Sequence, residues 1–197
     1  MSLAPSILLI FLLPLVLAAC GTDAQLESSS SRYRDPSGDF RIDVPADVEI
    51  RHDFVRDYFT NGSWKAFAPA GSQGEPRLAL VLPGSNTVTR AELRIGISTQ
   101  PEALAHCSDQ PASAVPDSAD HRRLDGVDFV HFRAGDAAMN HYLKVDAYRA
   151  VHAGRCYAID LLIAGTNPQV YAPPATPPFS QQQARQRLDA LLEGFGF

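Results

Sequence analysis

The side chains of this sequence that could do chemistry are six histidines, an abundance of carboxylates and three cysteines. His52, His106, His121, His131, His141 and His152 are the metal-ligand candidates, because neutral imidazole is a common ligand of Zn2+. Their spacing supplies neither the i, i+4 pair of a metal-binding helix nor the short Cys/His spacing of a zinc site. His131, His141 and His152 fall on successive expected strands and read as ordinary sheet residues, so neither a metal nor a cofactor is expected. General acid–base work needs one selected pair of carboxylates. Asp125, Asp128, Asp136, Asp146 and Asp160 offer several, and spacing singles out none. No Gly-x-Ser-x-Gly elbow presents a nucleophile. The glycines Gly71 and Gly74 lack the following lysine of a phosphate loop. No catalytic residue is assigned, and an enzyme is the less favoured reading.

The cysteines say more. Cys20 closes the tetrapeptide Leu17-Ala18-Ala19-Cys20 at the end of an apolar run. That run, about 12 residues, falls short of the roughly 20 that a membrane span requires. It fits the h-region of a secretory signal followed by small residues. The tetrapeptide resembles the bacterial lipoprotein box at all four positions; the absence of Lys or Arg before the apolar run is a departure from that pattern. The resemblance implies that the Cys20 thiol is lipidated, that residues 1–19 are removed as a signal peptide, and that Gly21, where an Asp would retain the protein in the inner membrane, directs it to the outer one. One acyl chain holds a protein marginally, whereas two or more anchor it stably. With Cys20 so used, Cys107 and Cys156 are an even pair in an oxidising compartment. A disulfide between them closes a loop of about 50 residues, worth about 4 kcal/mol in the chain-entropy model; the alternative is two separately buried thiols.

Aromatic residues form the other candidate site. Tyr58, Phe59, Trp64 and Phe67 flank Asn61-Gly62, the strongest short hairpin signal, and Arg56 and Lys65 lie among them. Two readings stay open. Tyr58, Phe59 and Trp64 are contact anchors of the kind that dominate protein interfaces, or they are cross-strand pairs that stabilise a core hairpin. A net charge of -5 argues against nucleic acid or an anionic membrane surface as partner.

The elements that must position these groups follow from periodicity. Residues 20–36, with serines at 28–31, cannot bury apolar area and read as a flexible tether, leaving 37–197 as a single domain. Phe40, Ile42 and Val44 alternate with charged neighbours as a half-buried strand ended by Pro45. Strands are also expected at Leu78–Leu82 and Glu92–Thr99, and a short helix at Pro101–His106. Residues Asp109–Asp120 form a loop. A three-strand meander occupies Val127–Arg133, Met139–Val151 and Arg155–Ala164, with a tight turn at Ala153-Gly154. A proline-rich run then leads to a helix capped by Ser180 and Gln183. Ala184, Leu188, Leu191, Leu192 and Phe195 share one of its faces, and Gly194 is its expected stop.

The early strand ending in Pro45, the run Cys156-Tyr157-Ala158-Ile159-Asp160-Leu161 and the close Leu192-Glu193-Gly194-Phe195-Gly196-Phe197 are similar to the Mog1/PsbP-like sandwich. That resemblance implies an α+β domain with a twisted antiparallel sheet, packed helices and a C-terminal helix docked on the sheet. It implies a fold used by assembly factors and small binding modules, and no catalytic residue. The expected function is therefore a lipid-anchored envelope protein facing the periplasm that binds another envelope protein without catalysis, as an assembly or accessory factor. The alternative is an inhibitor or immunity lipoprotein against a cell-wall hydrolase, with the Asp109–Asp120 loop as its inserting segment.

Overall fold

A computed structural model describes residues 30–56, 58–59 and 63–197. The Leu17–Cys20 tetrapeptide and the Asn61-Gly62 turn lie outside the described residues. Seven antiparallel strands build the main sheet: β3 (Glu49–Arg51), β4 (Glu75–Val81), β5 (Thr89–Ser98), β6 (Asp120–Leu124), β7 (Val127–Ala138), β8 (His141–His152) and β9 (Arg155–Thr166), in the spatial order β3-β4-β5-β9-β8-β7-β6. A smaller sheet joins β1 (Ser30–Arg34), β2 (Arg41–Pro45) and β10 (Phe195–Gly196) in the order β1-β2-β10. The helices are α1 (Pro101–Ala105) and α2 (Gln181–Glu193). The architecture is α+β, with the C-terminal helix docked on the sheet.

The meander β6-β7-β8-β9 is held in register by two-residue turns. Leu124 pairs with Val127, Ala138 with His141, and His152 with Arg155. In all three turns both central residues have positive φ: Asp125-Gly126, Met139-Asn140 and Ala153-Gly154. That is the backbone whose twist matches the flanking strands. β6 is not among the expected strands; Asp120-His121-Arg122-Arg123 shows no apolar alternation. It is a charged edge strand, a composition that blocks pairing with further chains.

The helix side of the sheet carries the larger core. Leu80, Leu93, Ile95, Ile159, Leu161 and Ile163 face Ala184, Leu188 and Leu191 of α2 together with Phe40, Ile42 and Val44 of the small sheet. The Ser180–Gln183 capping box is complete in both directions, which satisfies two otherwise orphaned N–H groups. Gly194 departs from expectation: its φ of -79° is right-handed, so the helix does not end on a left-handed glycine. The position is small for another reason. A Cβ there would lie 3.1 Å from the backbone N of Asp43, whose N–H donates to the Gly194 carbonyl at 3.2 Å.

Two further expectations are corrected. The tether does not run to residue 36, because Ser30–Arg34 pairs along its full length with β2. An edge strand needs only backbone partners, and Arg32 adds an ion pair to Asp43 at 2.7 Å. The aromatic stretch around residues 58–67 contributes no strand among its described residues; residues 63–67 are irregular chain over the second face of the main sheet.

Candidate functional site

On that second face, β5 and β9 present charged and small residues between the apolar ones that point to α2. Glu92 and Arg94 form a buried pair, and Arg94 also donates to the Val55 carbonyl at 3.0 Å. Arg149 and Asp160, on adjacent strands, form another at 2.6 Å, with side chains only 2% and 1% exposed. Asp160 uses its second oxygen to accept the Ala66 N–H at 2.7 Å, while Arg149 also donates to the Tyr148 and Ile159 carbonyls. One carboxylate thereby fixes the crossing chain at residue 66.

Trp64 lies beneath that chain at 2% exposure, clustered with Ala103, Ala158 and the two cysteines. Its indole N–H donates to Ser72 Oγ at 3.0 Å. Gly96 in the middle of β5 makes room for it: a Cβ there would sit 1.8 Å from the Trp64 carbonyl oxygen. Gly74 serves the same purpose, since its Cβ would fall 2.4 Å from the indole ring.

Between residues 65–73, α1 and residues 109–111 opens a cleft of about 610 Å3, within the range of small-ligand sites. Phe67, Phe132 and Pro111 give it apolar walls, and Lys65 and Arg149 are its cations. Lys65 is 8% exposed, with its ammonium 5.0 Å from the Trp64 ring centroid. Among the described residues no carboxylate lies within ion-pair distance of it. Burial lowers the pKa of the Lys65 amine, neighbouring Arg149 adds to the effect, and Asp160 and Asp109 oppose it. At the rim, His106 bonds Asp109 at 2.7 Å and lies 3.4 Å from Glu102. The bond to Asp109 raises the His106 pKa. Behind α1, Cys107 and Cys156 are joined in a disulfide, with Cα atoms 5.6 Å apart.

The structure does not unite the three aromatic candidates. Tyr58, 53% exposed, stacks on His141 at 4.5 Å and meets Phe59 edge-on at 4.9 Å. Trp64 belongs to the separate buried cluster under the cleft, so it is no exposed anchor; its bulk is consumed in packing. The strand histidines do not converge either. His141 and His152 stand at opposite ends of β8. His131 is held between Asp120 at 2.8 Å and Asp146 at 3.5 Å. Among the described residues, no group of three or more His, Cys, Asp or Glu is placed to hold a metal ion. The Asp109–Asp120 loop lies along β7, tied by Val115 N–H to the Arg133 carbonyl at 2.8 Å and by Gly135 N–H to the Ser113 carbonyl at 3.2 Å.

Sequence reasoning noted Lys65 only as a basic neighbour of the aromatic residues, and passed over Arg149. A signal existed for both. Lys65 is one of only two lysines, and Arg149 interrupts a run that is otherwise apolar from Ala147 to Val151.

No protein-family model and no curated protein matches the chain. Among solved structures, it is similar to the solution structure of cyanobacterial PsbP (CyanoP) from Synechocystis sp. PCC 6803, with a TM-score of 0.45 and 14% sequence identity over 91% of this chain and 98% of that one.

Proposed function

We propose that the protein is a lipid-anchored bacterial envelope protein, facing the periplasm from the outer membrane, that acts by binding rather than by catalysis, as an accessory or assembly factor. The cleft over Lys65 is its contact site. The observation that carries this reading is the cleft itself: a concavity of small-ligand size with apolar walls and a lysine in its lining that has no carboxylate within ion-pair distance among the described residues. Catalysis has less support there. Ser72 and the His106–Asp109 pair line the same cleft, but Ser72 Oγ accepts the Trp64 indole N–H. Among the described residues it shares no hydrogen bond with His106, so a base-activated hydroxyl is not assembled. An inhibitor would insert a projecting loop, and the Asp109–Asp120 segment instead lies along β7. The anchor rests on the Leu17–Cys20 tetrapeptide.

Two variants test the proposal. Cys20→Ser should move the protein out of the membrane fraction; retention in membranes after a high-salt wash overturns the anchor. Gln110→Phe, at an exposed position on the cleft wall, should abolish co-purification of a partner from detergent-solubilised envelopes while leaving the melting curve unchanged. Partner recovery indifferent to that variant, or turnover of a peptidoglycan or ester substrate by the wild-type protein, overturns the binding role of the cleft.

A further inference from the structure

If the cleft is the binding site, its chemistry specifies the ligand. We infer that it takes the C-terminal end of a peptide, with the terminal carboxylate seated against the Lys65 ammonium and the preceding amide groups met by glutamine side chains at the mouth.

The charges decide the first part. Of the two cations in the cleft, Arg149 is already matched by Asp160 at 2.6 Å and by two carbonyls. Lys65 is 8% exposed, and its ammonium lies 5.0 Å from the centroid of the Trp64 ring. A ring face stabilises an ammonium less than a carboxylate does. The Lys65 side chain lines the cleft with no carboxylate within ion-pair distance among the described residues, and a monoanion entering the cleft supplies that partner. A dianion such as a phosphate fits less well: the site has one unmatched cation, and Glu102 and Asp109 stand at its rim.

The second part follows from the mouth. Gln73, Gln100 and Gln110 all line the cleft, and each side-chain amide offers both donors and an acceptor, the complement of a peptide bond. Phe67 and Phe132 provide apolar surface for the side chain next to the chain end. A fatty acid offers the same carboxylate but makes no use of those amides.

Trp64 is the only tryptophan of the chain, so its emission reports directly on the neighbouring ammonium. The full chain in detergent is titrated with N-acetyl-phenylalanyl-alanine, with its C-terminal carboxamide, and with octanoate. The free acid should give a saturable change in emission. The carboxamide should bind more weakly by about tenfold or more, as the loss of a charged hydrogen bond dictates. Lys65→Met, which keeps the length of the side chain and removes its charge, should lose the same factor, and Lys65→Arg should recover part of it. Circular dichroism establishes that both variants are folded. Equal binding of acid and carboxamide overturns the carboxylate assignment. Octanoate binding as tightly as the peptide acid overturns the peptide assignment and points to a fatty acid. A silent titration with every probe, while Gln110→Phe still loses its envelope partner, overturns the inference and leaves the binding cleft standing; if partner recovery is also indifferent, both fall.

Discussion

Asp160→Ala tests the link between the sheet and the cleft. In the wild-type protein its two oxygens accept from Arg149 Nη2 at 2.6 Å and from the Ala66 N–H at 2.7 Å. Truncation leaves a guanidinium in a site where both side chains were at most 2% exposed. Removing one partner of such a pair costs about 3–5 kcal/mol, most of it the uncompensated charge. The Arg32–Asp43 pair has nearly the same length, 2.7 Å, but its side chains are 54% and 42% exposed, and solvent-screened pairs of that kind contribute little. In a domain of this size each kcal/mol moves the melting temperature by about 2–4 °C. Asp160→Ala should therefore lower Tm by about 6–20 °C, and Asp43→Ala by much less. Thermal melts followed by circular dichroism give both numbers. Trp64 emission should shift to the red in Asp160→Ala, because the chain at Ala66 loses its tie. Replacing both partners, Arg149→Met with Asp160→Leu, should restore much of the loss, since apolar replacement of a buried pair is often neutral or better. A loss in Asp160→Ala no larger than in Asp43→Ala, or a double variant as unstable as the single one, would refute the reasoning.

Gly96→Ala should lower stability by about 1–3 kcal/mol or more, because the new Cβ meets the Trp64 carbonyl at 1.8 Å; an unchanged urea midpoint would mean that the crossing chain moves freely. Leu188→Ala should cost about 2–5 kcal/mol, as this α2 side chain is 1% exposed against the sheet, and an unaltered melt would contradict the docking. His131 governs the pH response. Burial pushes its pKa down, but the neighbouring Asp146 and Asp120 carboxylates outweigh that and raise it. The stability it contributes is fully present below the unfolded value of about 6.5 and is lost as pH rises through the higher folded value. Urea midpoints should fall from about pH 6 to about pH 8 in the wild-type protein, and His131→Gln should flatten that slope; an equal slope in both proteins would exclude His131 as its source.

Legibility in the sequence followed the physics of each element. The three-strand meander and α2 were readable because their determinants are local: the turn at Ala153-Gly154, apolar alternation, and the Ser180–Gln183 box. The edge strands β1 and β6 were not. Their polar sequences bury little, and what defines them is backbone pairing with β2 and β7, which composition does not record. Trp64 was ambiguous because interface anchors and core residues draw on the same aromatic types; only the glycines facing it, Gly74 and Gly96, would have decided for burial. The Arg149–Asp160 pair depends on register. Ala147 lies opposite Asp160, and Arg149 opposite Ala158, so the two charges meet as diagonal neighbours, a relation that exists only once the strands are aligned.

The Cys107–Cys156 bond has a consequence for when the protein becomes competent. It fastens the chain just after α1, one wall of the cleft, to the start of β9, 49 residues further along. A five-residue helix has little capacity to hold itself in place. Synthesis of the wall is therefore not enough: Cys156 must follow, and both thiols must meet an oxidant, before the cleft is closed on that side. A chain held in a reducing compartment would therefore carry an unfastened cleft. Under the proposed export, competence would be set by arrival where thiols oxidise rather than by translation.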